Sequence, residues 1–163
     1  MKILYVIIMM LFLGMVSCSE DNLKGYSSSN CIQFDKLSKD STVFSFAYDE
    51  TLESGTVALK LVMISPLVDR DRKYNVKFLQ DESSAQAGVD FEMPAEEQVI
   101  AANDSVAYLN VIVKRNKALK GSAIAVFEVQ VSDDFMPGIE ANRKGRIFIT
   151  NQLTRPGWWN DWH

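Results

Sequence analysis

The alternation of apolar and polar side chains with a period of two restricts most strongly what this chain can fold into. Tyr74, Val76 and Phe78 alternate with charged or amide residues, which places apolar groups on one face of a strand and polar groups on the other. Five further runs with the same period begin at Phe44, Val57, Leu109, Phe127 and Ile147. Beyond the first residues, no run has the spacing of an amphipathic helix. The sequence therefore predicts an all-β chain.

Turn-forming residues separate these runs, as at Glu53-Ser54-Gly55 and Met136-Pro137-Gly138. Seven or eight short strands, each with one apolar face, predict an antiparallel immunoglobulin-like β-sandwich over residues 31–153. The predicted core consists of Phe44, Phe46, Leu59, Leu61, Tyr74, Val76, Phe78, Leu109, Val111, Phe127, Val129 and Ile147.

The N-terminus has the features of an export signal. Lys2 precedes the apolar run Ile3–Leu13, which is typical of a secretory signal peptide and too short for a permanent membrane span. Its exit, Val16-Ser17-Cys18, resembles the bacterial lipobox, in which the cysteine thiol is acylated and becomes the first residue. We therefore predict a signal peptide over residues 1–17 and membrane attachment through acyl chains on Cys18. The alternative is an ordinary secreted protein with a chance cysteine.

Residues 18–30 are polar, with few apolar side chains to offset the entropy of ordering. We predict that they form a flexible tether. Ser19-Glu20-Asp21 resembles the acidic export signal of Bacteroidota lipoproteins, although a solvated linker has the same composition. The predicted location is the outer membrane, lipid-anchored and facing the cell surface.

Charge and cysteine content exclude other classes. The 17 basic and 21 acidic side chains give a net charge of −4, without the clustered Lys and Arg that a nucleic-acid partner requires. If Cys18 is acylated, Cys31 has no second cysteine to pair with in the chain, so a disulfide framework is excluded. Cys31 opens an apolar run and is expected to be a small buried side chain.

The sequence predicts no catalytic centre. The only histidine is His163, the last residue, so no histidine is available as a general base inside a fold. A phosphate-binding glycine loop, a Cys-x-x-Cys pair and metal-ligand spacings are also missing from the sequence. We predict a protein that is not an enzyme and has no cofactor and no metal.

Three tryptophans, Trp158, Trp159 and Trp162, lie within the Trp-rich segment 154–163. Indole rings stack on sugar faces, so these side chains are candidates for contact with a glycan or a partner. Alternatively, they cap the sandwich. Two short Asp-Ser motifs also resemble the O-glycosylation acceptor of this bacterial group, with Ser41 and Ser105 as the candidate residues.

The stretch Gln86–Phe91, followed by Val99-Ile100 and by the run from Ala107, resembles the Calx-β class of immunoglobulin-like sandwiches. In that class a Gly-x-Asp-aromatic corner precedes a strand, a turn and a long partner strand. Here Gly88 would permit the bend, Asp90 would bind turn amides and Phe91 would close the core. Some Calx-β domains bind Ca²⁺ through dense acidic clusters, which this sequence lacks.

A broader resemblance covers nearly all of the mature chain. The lipobox, Arg72-x-Tyr74, the Gly88 corner, Phe135-x-x-Gly138 and Thr154–Trp159 occur in an order similar to that of an uncharacterised Bacteroidota lipoprotein family. That family is often encoded beside glycan-uptake proteins of the starch-utilisation type, and its members typically continue past the Trp-rich segment. The resemblance implies an accessory to glycan capture or uptake, with a glycan or outer-membrane uptake proteins as partners. The alternative is a structural or adhesive spacer that binds a protein and no small ligand.

Overall fold

A computed structural model describes residues 30–35 and 42–153. In these ranges it contains nine strands: β1 (Cys31–Phe34), β2 (Thr42–Ser45), β3 (Ser54–Ile64), β4 (Arg72–Phe78), β5 (Glu97–Ile100), β6 (Val106–Lys114), β7 (Ser122–Gln130), β8 (Met136–Pro137) and β9 (Lys144–Thr150). Sheet A has the order β6-β3-β1-β8, and sheet B has the order β2-β9-β7-β4-β5. The two sheets enclose one core, which confirms the predicted β-sandwich.

Two details of the sandwich differ from the sequence prediction. The structure has nine strands rather than seven or eight, because β8 contains only two residues and β1 only four. Most neighbouring strands are antiparallel, but β1 pairs with β8 in parallel and β2 pairs with β9 in parallel. Strands this short carry too few alternating positions to be recognised by their period.

The core follows the predicted alternation closely. Ten of the twelve predicted core residues are buried, and the other two, Phe44 and Phe78, are partly buried against them. Phe91 is fully buried, as its expected role of closing the core requires, but sequence analysis missed the buried side chains of Ile32 and Phe135 outside the long strands. Each of these belongs to a short strand or a loop, where no long alternating run marks the inward face.

Two local predictions were wrong. The run Phe44–Tyr48 was expected to be one strand, but β2 ends at Ser45, whose hydroxyl accepts a hydrogen bond from the Ala47 amide (3.2 Å). A 3-10 helix follows and leaves Tyr48 65% exposed. Cys31 is half-buried rather than buried, because its neighbour Ile32 occupies the inward position of β1.

The chain enters and leaves the sandwich at opposite ends. At the N-terminal end, Cys31 at the start of β1 pairs with Ile64 at the end of β3. At the C-terminal end, Thr150 at the end of β9 pairs with Ser122 and with Ser45. The eleven residues of β3 run between these ends, which separates them by about 35 Å at roughly 3.3 Å per residue.

Candidate functional site

Most of the predicted site residues lie outside the described residues. These are the lipid-attachment residue Cys18, the candidate contact residues Trp158, Trp159 and Trp162, and the candidate acceptor Ser41. Ser105 is described: it is exposed at the N-terminal end, immediately before β6. This position is accessible to an enzyme, and its O-glycosylation stays a prediction.

The corner that resembles Calx-β domains has the geometry expected from its residues. Gly88 has a φ of 83°, a left-handed conformation that favours glycine. The Asp90 carboxylate accepts hydrogen bonds from the Gln86 amide and from the Asn116 side chain, both at 2.8 Å. Phe91 is fully buried. The corner therefore fixes one side of the C-terminal end.

The Phe91 ring packs against two aromatic side chains of the core, Phe78 and Phe127. Its ring centroid lies 4.9 Å from that of Phe78 and 5.7 Å from that of Phe127. These separations are typical of favourable aromatic pairs. The corner is thus attached to strands β4 and β7 through the core as well as through Asp90.

A buried arginine holds together the loops of the N-terminal end. The Arg72 side chain is 1% exposed, and its guanidinium donates hydrogen bonds to Ser65 Oγ (2.8 Å) and to the Asp104 carbonyl (3.2 Å). It also lies over the Phe135 ring at 4.9 Å. Within the described residues its Nε has no hydrogen-bond partner. Arg72 thereby joins the loops that precede β4, β6 and β8.

Sequence analysis noted Arg72 only as part of a resemblance, although the period of β4 contained the signal. Arg72 lies two residues before Tyr74 and four before Val76, both of which face the core. Continuing the alternation by one step places Arg72 on the inward face. A charged residue at an inward position is the feature that could have identified this cluster.

A second arginine binds the loops of the C-terminal end. Arg115 donates hydrogen bonds from Nε to the Leu52 carbonyl (2.6 Å) and from Nη2 to the Phe46 carbonyl (2.7 Å). Its guanidinium lies 5.0 Å from the centre of the Phe46 ring. Unlike Arg72, the Arg115 residue is partly exposed. The loop after β6 is therefore tied to the segment between β2 and β3.

The candidate binding site is a shallow groove of about 440 Å³ on the outer face of sheet B. Its lining consists of Asn75, Val76, Lys77, Glu96, Glu97 and Gln130. Strand register brings three of these together, because Asn75 pairs with Gln130 of β7 on one side and with Glu97 of β5 on the other. Two amides and a carboxylate therefore form a row across three neighbouring strands.

The polar groups of this row are only partly used within the protein. Asn75 Nδ2 donates to the Val131 carbonyl (3.3 Å), and Gln130 Nε2 donates to Glu128 (2.8 Å). Each amide nitrogen has a second N–H group, and each amide has a carbonyl oxygen that can accept. The row can therefore bind a ligand that carries several hydroxyl groups.

The charges at the groove are nearly balanced. Glu97 forms an ion pair with Lys73 at 2.9 Å, and this hydrogen bond raises the pKa of the Lys73 ammonium above its usual value. Lys77 and Glu96 supply one further charge of each sign. The arrangement suits a neutral ligand better than a strongly charged one.

Residues 30–35 and 42–153 contain neither a metal-binding cluster nor a membrane-spanning helix. No group of three or more His, Cys, Asp or Glu side chains there could hold a metal ion. Within the same ranges, no helix is long and apolar enough to cross a membrane.

The sequence match then places the chain in a family. Residues 24–163 match the family described as a domain of unknown function, DUF4843. The chain belongs to this family. A search of curated proteins found no match to its sequence.

Solved structures share the fold of this DUF4843 protein at low sequence identity. The apo-form Calx CBD1 domain has a TM-score of 0.57 and 9% identity, over 77% of this chain and 100% of that one. A Bacteroides ovatus protein, described provisionally as carbohydrate-binding, has a TM-score of 0.53 and 12% identity, over 76% of this chain and 37% of that one. A two-domain Bacteroides fragilis protein of unknown function has a TM-score of 0.53 and 8% identity, over 76% and 46%. The Calx-β-like fold is thus shown, and this chain spans less than half of the two Bacteroides proteins.

Proposed function

We propose that this protein is a lipid-anchored, non-enzymatic accessory to glycan capture or uptake at the outer membrane. The observation that carries the proposal is the placement of the two chain ends at opposite ends of the sandwich. An acylated Cys18 would attach the N-terminal end to the membrane through the tether of residues 18–30. The residues that follow Leu153 would then start about 35 Å farther out, on the side where a surface glycan arrives.

The chemistry of the groove supports a glycan as the ligand. The row of Asn75, Gln130 and Glu97 offers amide and carboxylate groups of the kind that bind sugar hydroxyls. The groove lining contains no aromatic ring. Gln130 ends β7, whose first residue Ser122 pairs with Thr150 at the C-terminal end, so Trp158, Trp159 or Trp162 would stack on a different part of an extended glycan. The fold is shared with the Bacteroides ovatus protein that is described provisionally as carbohydrate-binding, which supports the same ligand class.

Intrinsic fluorescence tests the tryptophan contribution, because all three tryptophans of the chain lie in the Trp-rich segment. The full chain in detergent would be titrated with a panel of oligosaccharides, and the emission spectrum recorded. We expect one glycan class to shift the spectrum. Trp158→Ala should weaken its binding about tenfold, a loss of roughly 1.4 kcal/mol.

Tyr48→Ala is the matched control, since Tyr48 is an exposed aromatic residue at the C-terminal end of the sandwich. It should bind like the unmodified chain. An equal loss in Tyr48→Ala would mean that exposed aromatic rings adsorb sugars without a site. No response to any member of the panel would defeat the glycan proposal.

Gln130→Ala tests the groove separately from the tryptophans. We expect weaker binding of the same glycan with an unchanged spectrum of the free protein. The control is Gln80→Ala, which removes an exposed amide outside the groove. Equal affinities of the two variants would exclude the groove from the site.

Lipid attachment has its own test in cells. Cys18→Ala should leave the precursor unprocessed and remove acyl-chain labelling. Unchanged membrane fractionation, together with a mature N-terminus at another residue, would contradict the anchor.

The same opposition of the chain ends favours a second function, a structural or adhesive spacer that binds a protein partner. A domain entered at one end and left at the other separates the membrane from whatever follows Leu153. The spacer predicts acylation of Cys18 but no glycan response. The fluorescence titration therefore decides between the two functions.

A further inference from the structure

The four edge strands of the sandwich differ sharply in length and in chemistry. In sheet B the edge strands β2 and β5 contain four residues each, and β5 carries the charged Glu97. In sheet A the edge strand β8 contains two residues, one of which is Pro137. The remaining edge strand, β6, contains nine residues. Long edge strands present a row of backbone groups that can pair with another chain.

The outer edge of β6 is covered along only half of its length. Glu92 N donates to the Ile112 carbonyl and Lys114 N donates to the Asp90 carbonyl, both at 2.8 Å. Since alternate residues of a strand direct their backbone groups to the same side, Val106, Tyr108 and Asn110 also point outward. In the part of the chain that the structure describes, no backbone hydrogen bond reaches this outer side of the segment Val106–Asn110.

The segment Val106–Asn110 also lacks the usual protections of an edge. Proteins commonly block exposed edges with lysine, proline or a bulge. Here no charged residue, proline or glycine occurs from Val106 to Val113. Tyr108 is 53% exposed on the outer face of the sheet. An uncharged edge of high β-propensity is favourable for strand pairing.

We propose that this edge is a dimer interface, at which Val106–Asn110 pairs antiparallel with the same segment of a second copy. The two-fold axis passes beside Tyr108, so that Tyr108 faces its own copy and Val106 faces Asn110. Such pairing forms about six backbone hydrogen bonds. It also brings the two exposed tyrosine rings side by side, a favourable cross-strand contact.

Charge is the reason for choosing a second copy as the partner. A two-fold axis places residues near it opposite themselves or their close neighbours, so a charge near the axis meets a like charge. Val106–Asn110 contains none. Along β6 the nearest charged residues, Asp104 and Lys114, lie four and six residues from Tyr108 and face other positions. On β3, Lys60 pairs with Tyr108, but its ammonium forms an ion pair with Asp35 at 2.7 Å. The edge is therefore complementary to itself.

The dimer goes beyond the proposed glycan function and does not depend on a ligand. Val106 lies at the N-terminal end, where it pairs with Val62 near the start of β1. Pairing through this segment joins the N-terminal ends of the two copies. Because the two β6 strands run antiparallel, the C-terminal ends point in opposite directions along the shared sheet, and the outward placement of the residues after Leu153 applies to a single copy. Both tethers would leave from the same junction.

The test measures the mass of the detergent-solubilised full chain by light scattering. We expect a dimer, and we expect Tyr108→Lys to weaken dimerisation roughly a hundredfold or more, because it places two ammonium groups face to face. Val43→Lys is the matched control: Val43 is 51% exposed on the edge strand β2, at the opposite edge of sheet B from β5, so this variant adds the same charge away from β6 and should remain dimeric.

Crosslinking tests the register independently of the lysine variant. In a Cys31→Ser background, Tyr108→Cys should form an intermolecular disulfide, since opposed residues in antiparallel strands lie within about 4.5–5.5 Å. Lys60→Cys, one strand farther from the axis, should not. A monomeric wild type, a dimer unaffected by Tyr108→Lys, or crosslinking at Lys60→Cys instead of Tyr108→Cys would each overturn the proposal.

Discussion

The two ends of the sandwich are each held by an arginine over a phenylalanine ring, but the surroundings of the two arginines differ. Arg72 at the N-terminal end is almost completely buried, whereas Arg115 at the C-terminal end is partly exposed. Both donate to backbone carbonyls rather than to carboxylates. Burying a charge is costly unless it is well hydrogen-bonded. We therefore expect the free energy of unfolding to depend more on Arg72 than on Arg115.

The difference between the ends fits the proposed roles. An end attached to a membrane tether benefits from rigidly connected loops, and Arg72 provides this connection among the loops before β4, β6 and β8. The C-terminal end is held by contacts closer to water. If a glycan or partner binds at the C-terminal end, rearranging the loops there would cost less free energy than rearranging those at the N-terminal end.

The largest effect is expected from Arg72→Ala. This change removes the hydrogen bonds to the half-buried Ser65 hydroxyl and to the Asp104 carbonyl. It also removes the contact with Phe135 and leaves a cavity in place of a nearly fully buried side chain, which should lower the free energy of unfolding by about 3–4 kcal/mol. Denaturant unfolding measures it. Arg70→Ala is the control, because Arg70 is exposed and lies two residues away. A loss in Arg72→Ala no greater than in Arg70→Ala would show that the buried cluster contributes no stability.

Whether the sequence reveals the residues that hold each end depends on the length of the strands. The long strand β4 shows its inward face through Tyr74 and Val76, and continuing that alternation identifies Arg72. The corner at Gly88 and Asp90 was identified by its resemblance to Calx-β domains, and its residue chemistry agrees, because a bend needs glycine and turn amides need an acceptor.

The candidate groove could not be predicted from the sequence. Asn75, Glu97 and Gln130 are far apart along the chain, and only the register of β5, β4 and β7 brings them together. Alternation indicates which face a side chain occupies, but it does not indicate which strands are neighbours. The parallel pairing of β1 with β8 was missed for the same reason.

An intermediate effect is expected from Arg115→Ala. Water can replace part of the lost hydrogen bonding at this more open position, so the free energy of unfolding should fall by about 1–2 kcal/mol. Arg115→Lys is the matched variant, since it keeps the charge but cannot donate in the same planar geometry. A loss as large as that of Arg72→Ala would mean that burial does not distinguish the two ends.

A smaller effect at the C-terminal end is expected from Gly88→Ala. An added Cβ would meet nothing within 4 Å, so the cost comes only from the left-handed backbone and should be about 1 kcal/mol. Gly88→Asn should recover part of this stability, because asparagine tolerates that conformation better. Equal losses in both variants would show that the left-handed backbone conformation is not the source of the cost.

The smallest effect concerns Asp134 at the N-terminal end, and it should depend on pH. The Asp134 carboxylate accepts hydrogen bonds from the Arg70 guanidinium and from the Lys73 amide, which lowers the pKa of Asp134 below its usual value. A lowered pKa in the folded state stabilises the fold above the unfolded pKa of about 4. This stabilisation is lost as the pH falls through the lower pKa of the folded state.

Asp134→Asn should therefore unfold more easily than the unmodified chain at pH 7, and the difference should shrink below about pH 4. Asp133→Asn removes a charge from the same loop and serves as the control in the same pH series. A difference for Asp134→Asn that persists unchanged at low pH would show that its hydrogen bonds, rather than its charge, hold this loop.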